Sequence, residues 1–129
     1  MPDVMVEVRG DWLKERKADF IEAIENGIIT ALQTPKDNKV FRLIEHSPEN
    51  FSIPQWASPY FTHIEITMFE GRSIDVKRLL YRAIVENLEP FGVPANDIKI
   101  ILIEVRPSEV GMRAGRAACD LEIGYEITI

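Results

Sequence analysis

A chain of 129 residues, 46% hydrophobic and 28% charged, has the composition of one soluble globular domain long enough to bury a core. Its 15 Lys and Arg against 21 Asp and Glu leave a net charge of −6, the wrong sign for a phosphate-binding surface, so nucleic acid is not an expected partner. No apolar run reaches the roughly 20 residues of a membrane span, the start lacks the basic-then-apolar order of a signal peptide, and the single Cys119 excludes an internal disulfide. Together these point to a cytoplasmic protein with no membrane partner.

The second residue is a proline. An internal proline nitrogen carries no proton and does not titrate. If Met1 is removed, Pro2 becomes a secondary amine, a base that no other residue type supplies. Val4, Val6 and Val8 then alternate with Met5 and Glu7, the period-two pattern of a strand. Gly10-Asp11 turns the chain, with Asp11 placed to cap a helix over residues 12–32, where Leu13, Phe20, Ile21, Ile24, Ile28, Ala31 and Leu32 recur at helical spacing. Pro35 stops that helix, and residues 39–46 read as a second strand. Residues 47–59 carry three prolines with Phe51 and Trp56, and form a lid or interface loop packed on the body of the protein.

The pattern then starts again. Residues 61–68 alternate as a third strand, and Glu70-Gly71-Arg72-Ser73 turns the chain with Ser73 as a helix cap. Val76, Leu80, Ala83, Ile84, Leu88 and Phe91 line one face of a second helix, and residues 98–105 form a fourth strand. The halves correspond at Gly10 and Gly71, Lys17 and Lys77, Pro35 and Pro94, Leu43-Ile44-Glu45 and Leu102-Ile103-Glu104, and Pro48 and Pro107, at an offset of 59 to 61 residues. This is a duplicated β-α-β unit, with repeat 1 at about 2–50 and repeat 2 at about 61–110 of a single domain. The expected α/β (α+β) architecture is a four-stranded mixed sheet with both helices on one face, since each crossover is right-handed. The fourth strand is apolar on both sides, so its uncovered face calls for other subunits. Residues 111–129 form a C-terminal loop followed by a short alternating strand, 121–129.

Pro2, the duplicated unit and the Glu70-Gly71-Arg72-Ser73 turn followed by Lys77 occur together. In this the chain resembles the tautomerase superfamily, which includes 4-oxalocrotonate tautomerase. It is most similar to the long two-repeat members, such as malonate semialdehyde decarboxylase and cis-3-chloroacrylic acid dehalogenase, and the likeness covers essentially the whole chain. The resemblance implies a homotrimer without cofactor or metal, in which Pro2, freed of Met1, is the acid or base and Arg72 binds a substrate carboxylate. Burial and nearby guanidinium charge lower the pKa of such an amine, and an arginine fork grips a carboxylate in two places.

Where the decarboxylase has an aspartate after the first helix, this chain has Asn38, and Glu70 stands where that enzyme has a second arginine. The implied activity is therefore a proline-based keto–enol tautomerase acting on a small 2-oxo or enol carboxylic acid. The alternatives are a decarboxylase or hydratase-type dehalogenase using protonated Pro2, and a non-catalytic trimeric binding module. Arg113 and Arg116, with Lys99, are the further cations available for the substrate. Tyr60, Phe61 and Trp56 are candidates for an apolar wall, and His46, His63 and Cys119 are assigned to structure.

Overall fold

A computed structural model describes residues 1–36 and 39–129. The alternating valines form β1 (Asp3–Arg9), whose Val4, Val6 and Val8 side chains are fully buried. The first helix, α1 (Lys17–Leu32), begins later than the hydrophobic spacing predicts. Leu13 is fully buried and Trp12 packs edge-on against Phe20 and Tyr60, so the chain is anchored before the helix starts. A 3-10 turn over Lys14–Arg16 makes the entry, and Asp11 caps nothing. The helix ends at Gln33, which adopts a left-handed conformation and donates its N–H to Ile29.

β2 (Val40–His46) lies parallel to β1, closing the first β-α-β unit. β3 (Thr62–Phe69), α2 (Ile74–Leu88) and β4 (Ile98–Val105) repeat it, with β3 and β4 parallel. As expected, the Ser73 hydroxyl caps α2, accepting from the Val76 N–H at 3.3 Å. β1 and β3 pair antiparallel, so the sheet order is β2-β1-β3-β4 and the two repeats meet head to tail. The repeat extends to its ion pairs. Lys17 reaches Glu45 at 2.9 Å, and Lys77 reaches Glu104 at 2.8 Å.

The core lies between the sheet and the helices. Val4, Val6, Ile64 and Ile66 meet Phe20, Ile24, Ile28, Leu80, Ile84 and Leu88, all fully buried. Gly27 lets α1 and α2 approach, because a Cβ there would stand 3.1 Å from the Ile84 side chain. The opposite sheet face is left uncovered, with Val40, Ile44, Ile101 and Ile103 between 37% and 52% exposed.

The C-terminal region departs from the sequence expectation. Gly111–Met112 (β5) pairs with Arg116–Ala117 (β6) in a small hairpin, and no strand forms over residues 121–129. Their alternation is real all the same: Leu121, Ile123, Tyr125, Ile127 and Ile129 are half-buried and the residues between them exposed. The segment lies over the β3–α2 turn with its alternate side chains turned inward, and makes no ladder within this chain. Cys119, assigned to structure from the sequence, is on the surface.

Candidate active site

Because β3 runs antiparallel to β1, its C-terminal end lies beside the first residues of the chain, where Asp3 pairs with Thr67. That register brings the Gly71-Arg72 turn to Pro2, which is itself buried. Arg72 is only 6% exposed. Its Nη1 donates to the Phe69 carbonyl at 3.0 Å, while Nε and Nη2 are buried and make no hydrogen bond to the described residues. Burial lowers its pKa, opposed by the nearby Tyr125 and Glu104, and a guanidinium so placed stays charged at neutral pH. A buried cation with two donors unused is expensive to maintain, and such a group calls for an explanation.

The third member of the site is one that sequence reasoning missed. Tyr125 places its ring 5.9 Å from the Arg72 guanidinium carbon, and its hydroxyl donates to the Met1 carbonyl at 2.9 Å. Burial raises its pKa, with Arg72 acting against that, so it is a neutral phenol at neutral pH. The hydroxyl is near Arg72 but lacks hydrogen-bond geometry to Nε and Nη2. An amide oxygen and its nitrogen are about 2.3 Å apart, so the Tyr125 hydroxyl lies within about 5 Å of the Pro2 nitrogen. The signal in the sequence was the alternation of residues 121–129, but nothing local indicated which turn that segment would cross.

Gly71 explains how the segment comes so close. Its φ is +130°, and a Cβ there would lie 2.8 Å from the Ile127 carbonyl oxygen. Glu70, which stands where the decarboxylase has a second arginine, is exposed and lies near Arg106. The pKa of Arg106 is raised chiefly by its hydrogen bond and charge pairing with Glu109, and to a lesser extent by Glu70.

A cavity of about 360 Å³ opens beside the N-terminus, lined by Met1, Asp3, Lys39, Val40, Val110, Gly111 and Met112. The Met1 ammonium there has a lowered pKa. Burial is the main cause, Lys39 and Arg113 add to it, and Asp3 opposes it. Arg113 is thus drawn to this end of the molecule, where its Nη1 donates to the Glu122 carbonyl at 2.9 Å. Arg116 is exposed on the hairpin and donates to the Arg113 carbonyl at 3.2 Å. Asn38 lies outside the described residues. Lys99, Trp56 and Phe61 do not belong here. They sit at the opposite end of the sheet, as does Tyr60, because β3 starts where β1 finishes. His46 and His63 pair with Glu7 and Glu65, in keeping with structural roles. Among the described residues, no group of three or more His, Cys, Asp or Glu is arranged to hold a metal, and no helix is long and apolar enough to cross a membrane.

Known structures share this arrangement of strands and helices. A malonate semialdehyde decarboxylase inhibited by 3-bromopropiolate superposes with a TM-score of 0.82 at 24% identity, over 90% of this chain and 92% of that one. A second malonate semialdehyde decarboxylase gives 0.84 at 17%, over 94% and 100%. A native fused 4-OT gives 0.83 at 19%, over 93% and 98%, and another fused 4-OT of the same fold is a symmetric trimer. At these identities the likeness speaks for the fold. The sequence profile of the tautomerase enzyme family matches residues 38–113, a span that holds β2, the whole second repeat and the Arg72 turn. By that match, and with the duplicated β-α-β fold around it, the chain belongs to the tautomerase enzyme family.

Proposed function

We propose that the protein is a proline-based keto–enol tautomerase of small 2-oxo or enol carboxylic acids, active once Met1 has been removed. The observation that carries this reading is the buried Arg72 guanidinium with two unused donors beside the start of β1. Two parallel N–H groups match a carboxylate, and desolvation strengthens the pairing. The neutral Pro2 amine removes a proton from the enol hydroxyl, or from the carbon next to the ketone, and returns it at the other position, so no atom is gained or lost. The burial that lowers the Met1 ammonium pKa acts on a Pro2 amine as well, favouring its neutral form near pH 7. Loss of Met1 takes away the acceptor of the Tyr125 hydroxyl, which then turns to the amine or to the substrate's enolate oxygen. Arg113 adds positive charge at the cavity, and Arg116 supports the hairpin that carries it.

The assembly we infer is a homotrimer, supported by the uncovered apolar sheet face and by the trimeric state of fused 4-OT. A cytoplasmic location fits a single, exposed free thiol.

Two measurements test the reading. Intact mass of protein from its own source must lack Met1, because a retained methionine leaves Pro2 an amide. Turnover of phenylenolpyruvate or 2-hydroxymuconate must fall in Pro2→Ala and Arg72→Ala; equal rates in all three proteins leave a binding module. The fold shared with malonate semialdehyde decarboxylase favours one second reading, in which protonated Pro2 acts as an acid. That reading requires activity to fall as pH rises, the opposite of a base.

A further inference from the structure

The duplicated unit has two equivalent ends, and the second holds a cavity of its own. It measures about 580 Å³, within the usual range for a small-molecule site of roughly 300–1,000 Å³. Its lining repeats that of the N-terminal cavity at the same offset: Phe61, His63 and Lys99 stand for Met1, Asp3 and Val40, and Phe51 and Ser52 stand for Val110 and Gly111. Thr62 occupies the place of Pro2. It is fully buried, its hydroxyl donates to the Tyr60 carbonyl at 3.0 Å, and its nitrogen is a peptide amide in mid-chain. This end has the pocket without the base.

The pocket walls are already in place. The buried Asp97 carboxylate accepts the Ser58 N–H at 2.9 Å and the Ser58 hydroxyl, tying down residues 47–59. At the other end of that loop, Arg9 Nε donates to the Pro48 carbonyl at 3.1 Å. Phe51 is stacked on His46, with ring centroids 5.1 Å apart. Phe51, Pro54, Trp56 and Phe61 give the cavity an aromatic and apolar wall.

The polar lining is mostly spoken for. Glu7 accepts from His46 Nε2 at 2.9 Å, and His63 Nε2 meets Glu65 at 3.3 Å. Lys99 is the exception. It is exposed, lines the cavity and forms no ion pair or hydrogen bond among the described residues. We propose that this cavity is a second binding site, for a small aromatic carboxylate laid against Trp56 and Phe61 with its charge on Lys99, bound there but not turned over.

Phenylacetate is the probe, since it carries both features and has no ketone to enolise. Calorimetric titration of the assembled protein reads the binding, and Trp56 fluorescence reads its place. We expect saturable binding in the wild type and equally in Arg72→Ala, at least tenfold weaker binding in Lys99→Met and in Trp56→Leu, and none of benzylamine. Both altered side chains are exposed, so circular dichroism melts should match the wild type. Turnover should persist in Lys99→Met, separating this site from the one that holds Pro2. The proposal is overturned if phenylacetate does not saturate the wild type, if Lys99→Met binds as well as the wild type, or if Arg72→Ala abolishes all binding.

Discussion

At the start of β1 the neighbouring turn reads Glu70-Gly71-Arg72, and its buried guanidinium lies beside Tyr125, whose hydroxyl reaches the Met1 carbonyl. At the start of β3 the corresponding turn reads Arg9-Gly10-Asp11, with the charges reversed, and it leads into Trp12 packed edge-on against Tyr60. The first end is crossed by the C-terminal segment with Tyr125, whereas the second is walled by residues 47–59. Duplication gave both ends the same backbone. What differs is the residue at the equivalent place, Pro2 at the first end and Thr62 at the second, and the buried arginine lies at the first.

The largest expected contrast is catalytic. Pro2→Ala should lower kcat/KM by about 10²–10⁴-fold, the usual range for losing a general base. Arg72→Ala should lower it by about 10²–10³-fold, as for losing a positioned group that holds the substrate's charge. Changes at the other end, such as Lys99→Met, should leave turnover within a few-fold. Steady-state kinetics on phenylenolpyruvate would decide it, and equal losses at both ends would contradict the asymmetry.

The pH profile gives that contrast a sign. An amine whose pKa is lowered by burial, as that of the Met1 ammonium is, loses its proton below the ordinary α-amino value of about 8. A base works in its neutral form, so kcat/KM should rise with pH to a plateau reached below that value. In Pro2→Ala the titrating group becomes a primary amine, so the limb should shift.

The equivalent glycines should separate next. Gly71→Ala brings a Cβ to 2.8 Å from the Ile127 carbonyl at a φ of +130°, and should cost about 1–3 kcal/mol while lifting Tyr125 from the site. Gly10→Ala meets nothing within 4 Å, and only its φ of +86° opposes the change, so about 1 kcal/mol is expected. Thermal melts of the two variants compare them directly, and equal shifts would mean that the C-terminal segment is not held at Gly71.

Tyr125→Phe keeps the ring over Arg72 and removes only the hydroxyl. Roughly a tenfold loss in kcat is expected, about 1.4 kcal/mol, with little change in melting temperature. A variant as fast as the wild type would reduce Tyr125 to packing.

The smallest effects belong to the ion pairs that the repeats share. Lys17–Glu45 and Lys77–Glu104 are partly exposed, and Lys17→Met or Lys77→Met should each cost no more than about 1 kcal/mol, read from denaturant midpoints. A much larger loss from one of them would show that the two repeats are not equally stable.

The sequence by itself determined the repeated unit, because its evidence is local. The valine alternation of β1, the helical spacing in α1 and α2, the Ser73 cap and the constant offset between halves each rest on residues a few positions apart. Pro2 and Arg72 could be singled out as candidates for the same reason, one by its position in the sequence and the other by its turn. The start of α1 was misread because the anchoring of Trp12 and Leu13 depends on Phe20 and on Tyr60, which stands just before the second repeat and far along the chain. Only the tertiary structure decided which candidates share an end. The antiparallel join of β1 and β3 brings Arg72 to Pro2 and sends Trp56, Phe61 and Lys99 to the far end. It also decided the course of residues 121–129. Their alternation showed which sides face inward, but the contacts of Tyr125 with Met1 and of Ile127 with Gly71 span long stretches of chain, and no periodicity encodes a partner at that distance.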